Sequence, residues 1–243
     1  MRILIANDDG IYSPGLLALA EVAREFGQVR IVAPDVEQSS MGHAISAHTP
    51  LRYRPTAIGD FEAYRVNGTP ADCVALGLFH WEQQVDIVLS GINLGTNLGN
   101  SAWHSGTLAA AKQAVLFGFR GIAFSTPVSR EEPDFSAIKP HVRECLELLL
   151  PQKDLSLINV NIPRNAKGLR WVRQSLRHYD GKVVPGTDPM GRQHYWFTVV
   201  PVEITEENTD RWAVENGWVS LTPLRLDLTH EEELERALKR AKS

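Results

Sequence analysis

Asp8 and Asp9 stand side by side in IANDDGIYSPG, directly after a short apolar run at positions 3–6. Adjacent carboxylates repel, and the cost rises as they are drawn out of water. Side chains alternate along a strand, so two neighbours converge on one ligand only where the strand breaks into a turn. Gly10 supplies the backbone freedom for that break. A hard divalent cation would neutralise the pair and accept its oxygens. The plainer alternative is that one acid caps the following helix while the other is solvated.

Four further stretches carry polar side chains of interest. SGINLGTNLGN spaces Asn93, Asn97 and Asn100 between glycines. Amides bind hard cations through oxygen and give N–H to phosphate oxygens, although any tight loop uses the same residues. WHSGT opens a helix, so Ser105, Gly106 and Thr107 offer unpaired N–H groups, a positive dipole and two hydroxyls to an anion, or plain capping. His104 is a candidate proton donor to a leaving group, and Trp103 a stacking or packing residue. QSSMGHAIS offers Ser39, Ser40 and His43, which matter only if the fold brings them to the acid pair. Thr69, Pro70 and Asp72 in NGTPADC read as a turn entering a helix.

The elements that must position these residues alternate strand and helix through the first 160 positions. That pattern predicts an α/β fold with a doubly wound, mostly parallel, Rossmann-like sheet. Right-handed crossovers then gather the loops carrying Asp8, Asp9, Ser39, Asn93 and HSGT at one sheet edge. The pattern changes near residue 165. One domain is expected over 1–243, with a core over about 1–165 and a hairpin and C-terminal elements over about 166–243. A long hairpin is expected within 170–201, followed by a last helix capped by Thr229. The apolar stripe of that helix, Leu234, Ala237, Leu238 and Ala241, is narrow.

Bulk composition closes off several classes. An apolar fraction of 43% over 243 residues is that of a packed chain. A net charge of −4 argues against a nucleic-acid polymer or a membrane surface as partner. Two cysteines, Cys73 and Cys145, are too few for a disulfide framework, and MRILIANDDG has no long apolar stretch, so a cytoplasmic location is expected. The glycine spacing of Gly91, Gly95 and Gly99 does not match a dinucleotide fingerprint. A receiver-like signalling module shares an acid pair after its first strand but needs a later phosphoacceptor Asp, and the third buried strand here ends in LSGIN.

ILIANDDG, VAPDVEQSSMGHAIS, NGTPADCV, DIVLSGINLGTNLG, HSGTLAAA, GIAFS, NVNIP and TPLRLDLT follow one another along the chain. Taken together they resemble the SurE family, stationary-phase survival proteins that are metal-dependent 5′/3′-nucleotidases. The resemblance implies hydrolysis of nucleoside 5′-monophosphates, and of 3′-monophosphates, by a chain that binds one divalent cation per subunit. It carries the metal ligands onto Asp8, Asp9, Ser39 and Asn93, and phosphate contacts onto Asn97, Ser105, Gly106 and Thr107. An all-oxygen donor set favours Mg²⁺ or Mn²⁺ over zinc. Asp8 and Asp9 are then also the catalytic candidates, serving a cation that activates water, with attack by one carboxylate as the other route. A homodimer or homotetramer built through C-terminal elements is implied as well. The competing reading is a metal-dependent phosphate-binding or receiver-like protein without turnover.

Overall fold

Residues two apart in a strand share a face, so an apolar run buried on both sides must lie between two layers of helices. The structure, a computed structural model, describes residues 1–82, 84–128, 134–177 and 179–241. Strand β1 (Arg2–Ala6) sends Ile3 and Ile5 into one core and Leu4 and Ala6 into another. The remaining strands are β2 (Gln28–Pro34), β3 (Tyr53–Ile58), β4 (Phe61–Val66), β5 (Ile87–Leu94), β6 (Arg120–Thr126), β7 (Leu157–Asn161), β8 (Leu169–Trp171), β9 (Tyr179–Thr187), β10 (Gln193–Pro201) and β11 (Val219–Pro223). One nine-stranded sheet has the order β3-β4-β2-β1-β5-β6-β7-β11-β8. The run from β4 to β7 is parallel, while β3 and β11 pair antiparallel to their neighbours β4 and β7.

Helices α1 (Pro14–Ala23) and α4 (Lys139–Leu149) cover the Ile3/Ile5 face, using Leu16, Leu19, Val142 and Leu146. Helices α2 (Pro70–His80) and α3 (Gly106–Leu116) cover the other, using Cys73, Val74, Ala110 and Ala114. The expected doubly wound, mostly parallel sheet is therefore present. Their starts follow the sequence signals: Ser13, Thr69 and Ser105 are the N-caps of α1, α2 and α3. Thr69 and Asp72 form a capping box. They also tie down the loop before them, since Thr69 Oγ1 donates to Ala44 O (2.7 Å) and Ser46 N donates to Asp72 Oδ1 (3.0 Å).

The chain builds outward from β1 in one direction through β2, then returns to add β5, β6 and β7 on the other side. The crevice between the carboxyl ends of β1 and β5 is the switch point where ligands bind in open α/β sheets. Asp8 and Asp9 leave β1 there, and Asn93 lies at the end of β5.

Past residue 165, β8 and β11 join the main sheet, and α5 (Asp210–Glu215) packs on β11. β9 and β10 form a separate two-stranded hairpin with Tyr195, Trp196, Phe197 and Val183 exposed. The last helix, α6 (Glu231–Arg240), buries no residue. Its cap differs from expectation: His230 Nδ1 accepts from Glu233 N (3.3 Å), while Thr229 Oγ1 donates to Asp227 Oδ1 (2.6 Å). An acidic neighbour two residues back competes for the threonine hydroxyl, so the helix starts one position later. Among the described residues no helix is long and apolar enough to cross a membrane.

Candidate active site

Asn7 begins the turn after β1 by donating from Nδ2 to Gly10 O (3.0 Å), and Gly10 has φ 96°. That conformation disfavours any side chain and lets the two acids leave the strand toward one crevice. Asp8 is buried and Asp9 half-buried. The Asp8 carbonyl accepts from Gln38 N (2.7 Å), and Gly42 N donates to His104 O (3.0 Å), so the loop carrying Ser39 is held between β1 and the start of α3. A register shift between Ser90 and Asn93, with Gly91 at φ 122°, bulges β5 and re-aims Asn93. Asn93 Nδ2 then donates to Gly95 O (2.7 Å), which leaves its Oδ1 as the unengaged acceptor.

A cavity of ≈ 300 Å³ results, lined by Asp8, Ser39, Ser40, Asn93, Leu94, Thr96, Asn97, Ser101, His104, Ser105, Tyr179 and Val199. Asp9 adjoins it through Leu94, whose N–H donates to Asp9 Oδ2 (3.3 Å). The candidate metal ligands thus gather around one crevice from loops up to eighty-five positions apart. His43 does not join them. It hydrogen-bonds Gln113 through Nε2 (2.8 Å) and, with Trp103, lines a second cavity. Asn100 pairs its amide with the Tyr179 carbonyl (3.0 Å), tying the glycine loop to the base of the hairpin.

The anion seat at the start of α3 is already taken, by Asp8. Thr107 Oγ1 donates to Asp8 Oδ1 (2.6 Å), and backbone N–H groups of Thr107 and Gly106 also favour its charge. A Cβ at Gly106 would fall 2.7 Å from Asp8 Cβ and 2.9 Å from Oδ2, so only glycine admits the carboxylate here. Asn97 is engaged too, because its Nδ2 donates to Ser125 Oγ (2.8 Å) and Thr107 Oγ1 (3.4 Å). Both side-chain donors therefore point into the protein. Ser105 differs: its Oγ accepts from Leu108 N (3.0 Å), which leaves the hydroxyl proton for a group in the cavity.

Glu37 and Thr96 are among the nearby residues that escaped the sequence reading. Glu37 accepts from Ser39 Oγ (2.6 Å) and adds negative potential at Asp9. Thr96 contributes to the cavity wall. Glu37 sits two residues before Ser39, a spacing that any polar loop can show, so nothing local set it apart.

Among the described residues no Lys or Arg lines this cavity, and neither Asp8 nor Asp9 is in an ion pair. Burial drives the Asp8 carboxyl above its ordinary range despite the hydrogen bonds from Thr107 and Gly106. Burial, then Asp8, then Glu37 push Asp9 up to about 7, against the Leu94 N–H. Among the described residues this is an anionic site without a Lys or Arg counter-charge. Among the described residues no three His, Cys, Asp or Glu side chains cluster as a metal site, so a cation would lean on the Asn93 amide and Ser39 hydroxyl for further oxygens. The donor set fits a hard divalent ion and lacks the nitrogen or sulfur that zinc prefers.

A folded-state value above the ordinary 3.8 means the folded chain holds its proton more tightly than the unfolded one. Metal-free stability therefore falls as pH rises through the window from about 4 to about 7. Asp9→Asn removes this penalty. Because Asp9 is partly solvated, we expect a gain of about 1–2 kcal/mol near pH 8, shrinking toward pH 4. Urea unfolding in EDTA checks it, and an unchanged or lowered stability at the higher pH would contradict the electrostatic account.

A family profile described as "Survival protein SurE" matches residues 3–181. The chain is 47% identical over 237 residues to "5′-nucleotidase SurE 1" of Thermus thermophilus, covering 94% of this chain and 93% of that protein. It is 44% identical to "5′-nucleotidase SurE" of Deinococcus radiodurans, covering 98% and 92% respectively. The crystal structure of the SurE protein from Aquifex aeolicus superposes with a TM-score of 0.84 at 38% identity over the whole of both chains. Shared fold, shared length and this level of identity lead to one conclusion: the chain belongs to the SurE family.

Proposed function

We propose that the chain is a metal-dependent phosphomonoesterase that releases phosphate from nucleoside 5′-monophosphates, and from 3′-monophosphates as well. The 5′-nucleotidase names of its full-length relatives support the substrate class. The observation that carries the metal dependence is the cavity itself, which sets buried Asp8, with half-buried Asp9 beside it, in a wall that holds no Lys or Arg among the described residues. A phosphate dianion entering it would meet repulsion unless a cation stood between. Asp8, Asp9, Ser39 and Asn93 would hold that cation, Mg²⁺ or Mn²⁺, and when bound it supplies Lewis acidity toward a phosphoryl oxygen.

The protein's own residues do the rest. Thr107 and the start of α3 keep Asp8 in one orientation, so little reorganisation is needed during reaction. Ser105 offers its hydroxyl proton to a phosphate oxygen, and the α3 dipole favours the charge that builds on the phosphoryl group. The Asn97 and Thr107 side chains are better read as supports of Asp8 than as phosphate contacts. Hydrolysis forms a bond from water oxygen to phosphorus and breaks the bond from phosphorus to the sugar oxygen, which leaves protonated. His104, on the cavity wall, is in place to serve that oxygen.

A cytoplasmic setting is supported by two free, buried cysteines. For assembly, β9, β10 and α6 leave apolar side chains in solvent: Trp196 and Phe197 are 66% and 72% exposed. We read them, in a domain whose core lies over about 1–165, as the contacts of a homodimer or homotetramer. Sedimentation of the intact chain should give one of these, and Phe197→Glu should shift it toward monomer. A monomeric intact chain would contradict this.

Phosphate release from a panel of 5′- and 3′-mononucleotides, with Mn²⁺, Mg²⁺ or EDTA, tests the activity. The expected result is metal-dependent turnover, lowered at least about 10²-fold in Asp9→Asn. Folded protein that binds Mn²⁺ yet releases no phosphate would instead favour a metal-dependent binding protein.

A further inference from the structure

β7 ends in two buried asparagines, Asn159 and Asn161, separated by Val160, and both are fully inaccessible to solvent. Asparagine has low strand propensity, and burying two amides needs compensation from partners. Their partner is a single residue on another loop. Asn161 Oδ1 accepts from Asn97 N (2.8 Å), and its Nδ2 donates to Asn97 O (3.2 Å). Asn159 Nδ2 donates to the same carbonyl (2.7 Å). Three hydrogen bonds thus clasp the backbone N–H and C=O of one residue of the glycine loop after β5.

The clasp fixes where the Asn97 side chain points. Its Nδ2 is shared between Ser125 Oγ and Thr107 Oγ1. Thr107 accepts from Asn97 through a lone pair, which leaves its one hydroxyl proton for Asp8 Oδ1. Every member of this line is buried, where hydrogen bonds are strong and an orphaned partner is costly.

We infer that Asn161, helped by Asn159, is a positioning residue for the acid pair, acting through Asn97 and Thr107 to set the direction of the Asp8 carboxylate. It touches neither substrate nor cation. The inference rests on the reading of Asp8 as a cation ligand. Partners behind metal ligands commonly govern affinity by 10–100-fold, roughly.

The test measures Mn²⁺ affinity by calorimetry beside kcat and KM for a nucleoside monophosphate. Asn161→Ala should weaken Mn²⁺ binding about tenfold and lower kcat at saturating Mn²⁺, with KM changed less than about threefold. Asn159→Ala keeps the two-point clasp and removes a side chain whose Oδ1 is itself unpartnered, so it should fold and show the same pattern at about threefold. Combining Asn161→Ala with Thr107→Val should cost little beyond the worse single change, because both cut one line. Thr107→Ser, which restores the hydroxyl, should recover most of the affinity lost in Thr107→Val. Wild-type Mn²⁺ affinity in the folded variants, or full additivity in the double variant, would overturn the inference. A wild type that binds Mn²⁺ but releases no phosphate would overturn the enzymatic reading alone, since the affinity measurements stand without turnover.

Discussion

Two carboxylates are drawn out of water at the end of the first strand with no Lys or Arg among the described residues to hold them, and much of the surrounding structure is arranged around that constraint. Asp8 is seated on the start of α3, where Gly106 has no side chain to obstruct it and the Thr107 hydroxyl donates a hydrogen bond to it. Asp9 receives only the Leu94 N–H and stays at a value of about 7, poised between charge states. Helix dipole and hydrogen bonds lessen the cost of the pair without removing it. A cation does so more completely, and the same charge then makes room for a phosphate.

The sheet supplies what loops alone could not, a fixed meeting point. β1 is central, and the chain turns from one side of it to the other, so the ends of β1 and β5 open a crevice. The bulge in β5 turns Asn93 toward it, while backbone hydrogen bonds to Asp8 and His104 hold the Ser39 loop across it. Both layers of helix bury apolar side chains against alternate residues of the same strands, which keeps the strand ends from shifting. Precision at the site is thus a property of the core.

Much of this was legible in the residues. The apolar runs bounded by DDG and by the glycine loops announce buried parallel strands, and Ser13, Thr69 and Ser105 mark their helices because capping is a local interaction. Asp8 with Asp9 announces a charge problem, and Gly10 the turn that concentrates it. What stayed hidden depends on partners distant in sequence. HSGT reads as an anion seat, and it is one, but nothing within it says that Asp8 occupies the seat. Asn97 reads as a free amide until Ser125, Asn159 and Asn161 close on it from two other strands. Glu37 stands out only once the loop folds back to Asp9, and the strands β8 and β11 are too short for periodicity to assign to the main sheet.

Proton release on cation binding tests the central claim most directly. Mn²⁺ binding measured by calorimetry near pH 6.5, in two buffers of different ionisation enthalpy, reports how many protons leave the site. The account predicts tight binding with release of roughly one proton per cation, fading as pH rises well above about 7 and lost with the affinity itself in Asp9→Asn. Binding with no proton exchange, or binding indifferent to Asp9, would contradict the claim that an uncompensated acid pair is what the cation completes.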